Sequence, residues 1–413
     1  MAKKNNDFFE TKKEWSVIKD RLLGCYIRPY FQKLLSTKIP IYYIDCFAGK
    51  GKFDDGEDGS PIIALKARKE ALQSTNQKNI NNIYTYFIDK KYANDLRVNI
   101  SSYIESDNSS IINGLFEEHI GDLLKNLRSK NVFLYIDPYG IEALDSQILF
   151  PLSNYGFASF EMLINFNSFG FFRDACQAMN VSKKDDALSN LDELVEYDPT
   201  KITNSPESIS LLTRIVGNDF WKDVVLDYKN NRINGYQAEE IISKGYKRNL
   251  RKYYKFVLDM PISLKPGQHS KYRMIHVCNH VDGCYLMAHD MQNRDKELAT
   301  KVQHRQLDLF EELGLEFHTG RVDHPYMTQE NLKQLIKDYI STLKSSNINY
   351  NSFMAHFANE YNVFPFKSIQ TALRDLEKEG VIRLERIPAY TLRSQPSTFW
   401  EESGKKKLLI HKI

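Results

Sequence analysis

The sequence predicts an α/β protein with a Rossmann-like, doubly wound sheet, a helical insertion, and a C-terminal winged-helix-like domain. Three observations predict it. Apolar β-branched runs alternate with segments of helical apolar spacing through the first part of the chain. Several of those runs stop at an acid or a glycine turn. From about residue 323 onward the pattern reads as three helices followed by a β-hairpin.

In chain order, Trp15, Ile18, Leu22, Tyr26 and Phe31 recur at helical spacing, which predicts an amphipathic helix interrupted near Pro29. Ile39 to Phe47 lacks the polar alternation of a half-exposed strand and reads as a strand buried on both faces, as parallel sheets require. A glycine-rich loop, a helix from Pro61 to about Leu72 and a strand Ile83 to Ile88 ending in Asp89 follow. After a helix through Ala93 to Ile104, a short strand is expected near Glu117 to Ile120, ending in Gly121-Asp122, with a helix over Leu123 to Arg128. Val132 to Ile136 closes on Asp137-Pro138-Tyr139, and Met162 to Phe166 forms the next strand. Phe171 to Tyr246 reads as helical and polar. Tyr254 to Ile262 and Tyr272 to Asn279 then read as two strands joined by the turn Lys265-Pro266-Gly267, and Met287 to Val302 as a closing helix. The expected division is 1–170 for the first part of the Rossmann core, 171–250 for the insertion, 251–322 for completion of the core, and 323–413 for the winged-helix-like domain.

A chain of 413 residues exceeds one ordinary core, and 42% hydrophobic with 26% charged residues describes a folding chain. A net charge of +3 neither demands nor excludes a nucleic acid partner. Five scattered cysteines without a Cys-x-x-Cys pair argue against a disulfide framework, a zinc ribbon or an iron–sulfur cluster. His276, His280 and His289 lack carboxylates at ligand spacing, so no metal site is expected. The polar start is unlike a secretory signal and no apolar run reaches the roughly 18 residues of a membrane span, so a cytoplasmic protein with no membrane partner is expected.

The chemistry-bearing residues sit at the carboxyl ends of the predicted strands, where doubly wound sheets bind ligands. Asp45, Phe47, Gly49 and Gly51 follow the first strand, where glycine lets backbone approach a ligand. That loop lacks the third glycine of the dinucleotide fingerprint and the Gly-Lys-[Ser/Thr] of a phosphate loop. Asp89 is placed to accept from ribose hydroxyls, or to cap a helix. Asp122 is placed to cap its helix or to read an adenine amino group. Asp137-Pro138-Tyr139 can orient an amine and stack on a planar base, and is equally a good turn. Asn165 and Arg173 follow the fifth strand as candidate substrate contacts. Lys244, Lys247, Arg248, Arg251, Lys252 and Lys255, interleaved with Tyr246, Tyr253 and Tyr254, have the charge and stacking character of a single-strand groove, or are a solvated helix face. In the tail, Lys367, Gln370, Arg374 and Lys378 share one helix face that suits phosphates, a groove or a protein partner.

Taken together, the Phe-x-Gly-x-Gly loop, the acids after the second and third strands and the Asp-Pro-aromatic turn resemble class I S-adenosylmethionine-dependent methyltransferases, in particular those with an Asp-Pro-Pro-Tyr motif acting on exocyclic amines of adenine. More closely, YIDCFAGKGKF followed by GSPIIAL, FIDK, YIDPYG and LINFNSFGFFR resemble the three-Cys-motif partner proteins (TcmP family), described alongside a radical-SAM-like three-Cys protein; the resemblance covers Lys12 to Asn293. It implies S-adenosylmethionine as cofactor, with Asp45, Phe47, Gly49 and Gly51 around its methionine part, Asp89 at its ribose, Asp122 near its adenine, and Asp137, Pro138 and Tyr139 at a substrate amine. It also implies a three-Cys protein as partner, with DNA or RNA as the source of the acceptor base. One departure stands out: a single proline precedes Tyr139, so the aromatic is shifted by one position. A binding or scaffold protein of methyltransferase ancestry is the other reading the residues leave open.

Overall fold

A computed structural model describes residues 9–74, 82–104, 108–182, 202–262, 272–313, 328–361, 364–400 and 402–413. Helix α1 (Glu14–Leu35) runs straight through Pro29. The expected interruption does not occur, because Tyr26, Ile27, Tyr30 and Phe31 on both sides of the proline are buried, and that packing outweighs the roughly 3 kcal/mol cost of a helix-interior proline. Strands and helices then alternate: β1 (Ile41–Asp45), α2 (Ser60–Gln73), β2 (Ile83–Asp89), α3 (Ala93–Ile100), β3 (Ser109–Asn113), α4 (Phe116–Lys125), β4 (Asn131–Ile136), α5 (Ser146–Leu149) and β5 (Ser159–Phe166).

The seven-stranded sheet has the order β3-β2-β1-β4-β5-β7-β6, where β6 is Phe256–Ile262 and β7 is Tyr272–Cys278. Strands β1 to β5 pair in parallel, whereas β7 runs antiparallel to β5. The order reverses between β1 and β4, the point at which such sheets open a crevice beyond their carboxyl ends. The turn expected at Lys265-Pro266-Gly267 lies outside the described residues.

The third strand is not where the sequence pattern put it. Residues 117–120 belong to α4, whose Phe116, Ile120 and Leu124 bury one helical face, while Glu117 and Glu118 favour the positive end of that helix. The strand is Ser109–Asn113, a half-exposed edge strand with only two β-branched apolar residues to announce it.

Every residue of β4 is buried. Val132, Leu134 and Ile136 join a core with α4 and with the helices after β5: α6 (Ser168–Ala178), α7 (Pro206–Val216), α8 (Trp221–Lys229) and α9 (Gly235–Leu250). On the other face Phe133 packs against Tyr26, Tyr30 and Tyr43, so α1 covers that side. The helices after β5 are therefore core-forming, with Phe171, Phe172, Trp221, Tyr228 and Ile242 fully buried, although residues 183–201 of the expected insertion lie outside the described residues.

Contacts divide the chain into two units. One runs to Asn279 apart from short pieces around β6, and the other takes those pieces with His280 to Ile413. The second unit holds α10 (Val281–Leu313), α11 (Gln329–Thr342), β8 (Asn347–Asn349), α12 (Tyr350–Tyr361), α13 (Phe366–Lys378), β9 (Ile382–Ile387) and β10 (Lys407–Lys412). Its three strands form an antiparallel sheet of order β8-β10-β9. The expected boundary at Val322 to Pro325 lies outside the described residues. Among the described residues no helix is long and apolar enough to cross a membrane.

Candidate functional site

The segments after β1 and β4 and the end of β5 converge on one cavity of about 80 Å³ lined by Phe47, Gly49, Gly51, Asp137, Pro138, Tyr139 and Asn165. Two of its glycines are there for backbone reasons. Gly49 and Gly51 adopt φ of +60° and +76°, the left-handed region that side chains resist. A Cβ on Gly51 would also come within 2.7 Å of Leu96, so the loop can turn tightly against α3 only without one.

Asp89 anchors this loop. Its Oδ2 accepts from the Gly49 amide at 2.9 Å, and its Oδ1 accepts from the Lys91 and Tyr92 amides at 2.8 and 2.6 Å. It therefore ties the β1 turn to the β2 turn and caps the approach to α3, while Oδ2 keeps a second lone pair for a further donor.

Asp45 is fully buried, and its Oδ2 has no hydrogen-bond partner. Burial pushes its carboxyl up to about 7, opposed by the Ser60 hydroxyl and the Phe47 amide and reinforced by the charges of Asp137 and Asp20. An orphaned buried acceptor beside a glycine turn suits an incoming ammonium group.

Asp137 is the most heavily engaged group. Lys19 Nζ donates to Oδ1 and Oδ2 at 2.9 Å each, Asn165 Nδ2 donates to Oδ1 at 2.7 Å, and the Tyr135 hydroxyl donates to Oδ2 at 3.3 Å. These four contacts occupy the carboxylate's lone pairs, so a substrate donor must displace one of them. Asn165 is itself buried with an unpartnered Oδ1, which offers a second acceptor on the same wall.

Lys19 escaped the sequence reading, as did Ser16 and Asp20, which line the cavity from α1. Lys12, Ser16, Lys19 and Asp20 are spaced i, i+4, i+7 and i+8, a polar stripe flanking the apolar one, and that spacing was the available signal. Lys12 Nζ pairs with Asp20 Oδ2 at 2.7 Å. Burial still pushes the Asp20 carboxyl up to about 6, against the pull of Lys12 and Lys19. Three carboxylates and two ammonium groups thus share one poorly hydrated corner. Phe9 was missed as well. Its ring lies where a Cβ on Gly49 would approach to 3.0 Å and packs edge-on to Tyr92 at 4.9 Å, so it fills the space beside the Asp89 loop.

Other expected site residues lie elsewhere. Asp122 is exposed on α4 and paired with Lys125 at 2.7 Å; it does not end a strand. Asn113 and Gly114 hold that place, and the Gly114 amide approaches the Asp89 carbonyl oxygen at 3.4 Å. Arg173 on α6 pairs with Asp174 and does not line the cavity. Lys247 is buried, while Arg248 and Arg251 are exposed near the end of α9. Tyr246 and Tyr254 are core residues, stacked on Phe166 and Phe160, so they do not form a stacking platform. Of those three tyrosines only Tyr253 is exposed. It lines a separate open groove of about 490 Å³ with Phe150 and Arg214.

Two acceptors next to this lining, neither of them part of it, have capacity for a further donor. Asp45 offers an orphan acceptor, Asp89 a spare lone pair, and Gly49 and Gly51 a turn without side chains. No protein-family model and no curated protein matches the chain.

Proposed function

We propose that the protein is an S-adenosylmethionine-dependent methyltransferase acting on an exocyclic amine of a nucleic acid base, from a Rossmann-like domain followed by a winged-helix-like one. The observation that carries this reading is the convergence of Asp45, Gly49, Asp89, Asp137 and Asn165, from four separate chain segments, on the carboxyl edge of the sheet at its switch point. The cofactor supplies a methyl group on a sulfonium, which needs orientation more than acid–base help. Asp45 would hold its ammonium and Asp89 its ribose. Asp137 and Asn165 would accept the hydrogens of the acceptor amine, with Tyr139 against the base. Lys19 would hold the Asp137 carboxylate oriented until the amine displaces one of its contacts. The resemblance to three-Cys-motif partner proteins extends the proposal to a partnership with a three-Cys protein.

A specific observation favours a second reading. Both oxygens of Asp89 already serve backbone amides, and the cavity is smaller than a nucleoside. A scaffold of methyltransferase ancestry, docking a three-Cys protein or nucleic acid, accounts for that. Calorimetry with S-adenosylmethionine separates the two. Binding heat, together with labelled methyl transfer to nucleic acid that Asp137→Asn abolishes, supports the enzyme; absence of heat at high cofactor concentration overturns it.

A further inference from the structure

In the C-terminal unit, Phe366, Ile369, Ala372, Leu373 and Leu376 bury one face of α13 and leave Lys367, Thr371, Arg374 and Lys378 as an exposed stripe. Near the end of β9, Arg386 pairs in register with the buried Leu408, so it shares the inward face of the hairpin. The guanidinium carbons of Arg374 and Arg386 lie 5.1 and 5.3 Å from the centre of the same indole ring, that of Trp400. Two cations held against one ring repel each other, and the Arg386 guanidinium is pulled below its ordinary value by burial and by Arg374, against the opposing pull of Glu377.

No carboxylate among the described residues forms an ion pair with either arginine, and the nearby acids are committed elsewhere. Glu377 accepts from the Leu384 amide, Glu402 from the Asn351 and Leu408 amides, and Glu385 pairs with His411. A second observation points independently to a ligand: Trp400 is nine-tenths buried, and its indole Nε1 has no hydrogen-bond partner. Arg386 Nε donates to the Phe399 carbonyl at 3.1 Å, but the rest of that guanidinium, the Arg374 guanidinium and the indole Nε1 have no hydrogen-bond acceptor among the described residues, an arrangement that an anion would complete.

We infer that Arg374, Arg386 and Trp400 form a phosphate site for the phosphodiester backbone of a nucleic acid. A repeating polyanion fits better than a lone phosphate, because further cations lie along the same helix face and at the loop end of the hairpin. Lys367 lies two helical turns before Arg374, roughly 10 Å at 1.5 Å per residue, on the order of three backbone steps of one strand. Lys405, Lys406 and Lys407 are exposed at the same loop end of the hairpin as Arg386, with Lys406 over Phe399. The inference deepens the methyltransferase reading by naming how its substrate is held, yet it rests on a different part of the chain.

The test is fluorescence anisotropy of the full chain with a short labelled oligonucleotide, single-stranded and duplex, across a salt series. The Arg374→Ala/Arg386→Ala variant should bind at least about tenfold more weakly, with the slope of log affinity against log salt reduced by about 2. Trp400→Phe, which keeps the ring and removes the donor, should weaken binding less. Unchanged affinity and slope in a variant whose circular dichroism matches the parent would overturn the inference. So would competition by inorganic phosphate at constant ionic strength, which would assign the site to a small anion. Cofactor calorimetry on the same variants keeps the two readings apart: oligonucleotide binding without cofactor heat sustains the phosphate site and removes the methyltransferase.

Discussion

Lys19 Nζ sits 2.9 Å from each carboxylate oxygen of Asp137, a pairing across 118 positions of sequence that closes α1 onto the turn after β4. The lysine side chain is almost wholly buried and the aspartate side chain only partly exposed, so removing either partner strands a charge. Lys19→Met should therefore destabilise the protein by about 2–4 kcal/mol. Asp137→Asn in the same background should recover part of the loss. Denaturant midpoints for the two single variants and the double variant give the coupling, and additive losses would mean that the pair does not act as a unit.

This pair also marks what the sequence could not convey. Strands β1, β2 and β4 were legible because burial on both faces leaves runs such as Ile41 to Ile44 and Val132 to Ile136 with few polar residues. The acids that end β1 and β2, and the one that follows β4, were legible with them. Edge strand β3 was not, since Ser109 to Asn113 is short and half exposed, and the misplaced strand carried Asp122 into the site with it. Lys19 and Asp20 went unnoticed because only the tertiary fold removes them from water. Tyr246 was misread for a different reason. Ile242, Tyr246 and Leu250 are spaced i, i+4, i+8, an apolar stripe that outweighs the neighbouring lysines.

The glycines of the β1 loop separate backbone strain from crowding. Gly51→Ala meets both, with φ of +76° and Leu96 2.7 Å from the new Cβ, whereas Gly56→Ala at φ +91° meets nothing within 4 Å. Gly56→Ala should cost about 1–2 kcal/mol, the strain alone, and Gly51→Ala clearly more. Thermal unfolding of the two variants decides it, and equal losses would show that Leu96 yields freely.

Phe9 should oppose ligand entry. Its ring packs on Tyr92 and Phe53 beside Gly49, in space that the proposed cofactor's nucleoside would take. Phe9→Ala is expected to tighten binding of S-adenosylmethionine, measured by calorimetry, at some cost in stability from the lost apolar contact. Weaker binding in this variant would instead make the ring part of the ligand's own stacking surface.

Asp45 and Asp20 should make the protein less stable as pH rises through neutrality. Their carboxyls are pushed up to about 7 and about 6 by burial, so between about pH 4 and 7 the folded chain binds more protons than the unfolded chain. Where the folded state holds the extra protons, stability falls with rising pH, and the fall ends once both groups have ionised in the folded state too. The total loss is of order a few kcal/mol, shared between two coupled groups. Urea midpoints from pH 4 to 8 should therefore decline, and Asp45→Asn should flatten much of that decline. The same proton reports on the site. An ammonium received by Asp45 favours the ionised carboxylate, so cofactor binding near pH 6 should release a proton, seen as a dependence of binding heat on buffer ionisation enthalpy. In Asp45→Asn that dependence should vanish, and its persistence there would move the ammonium to another residue.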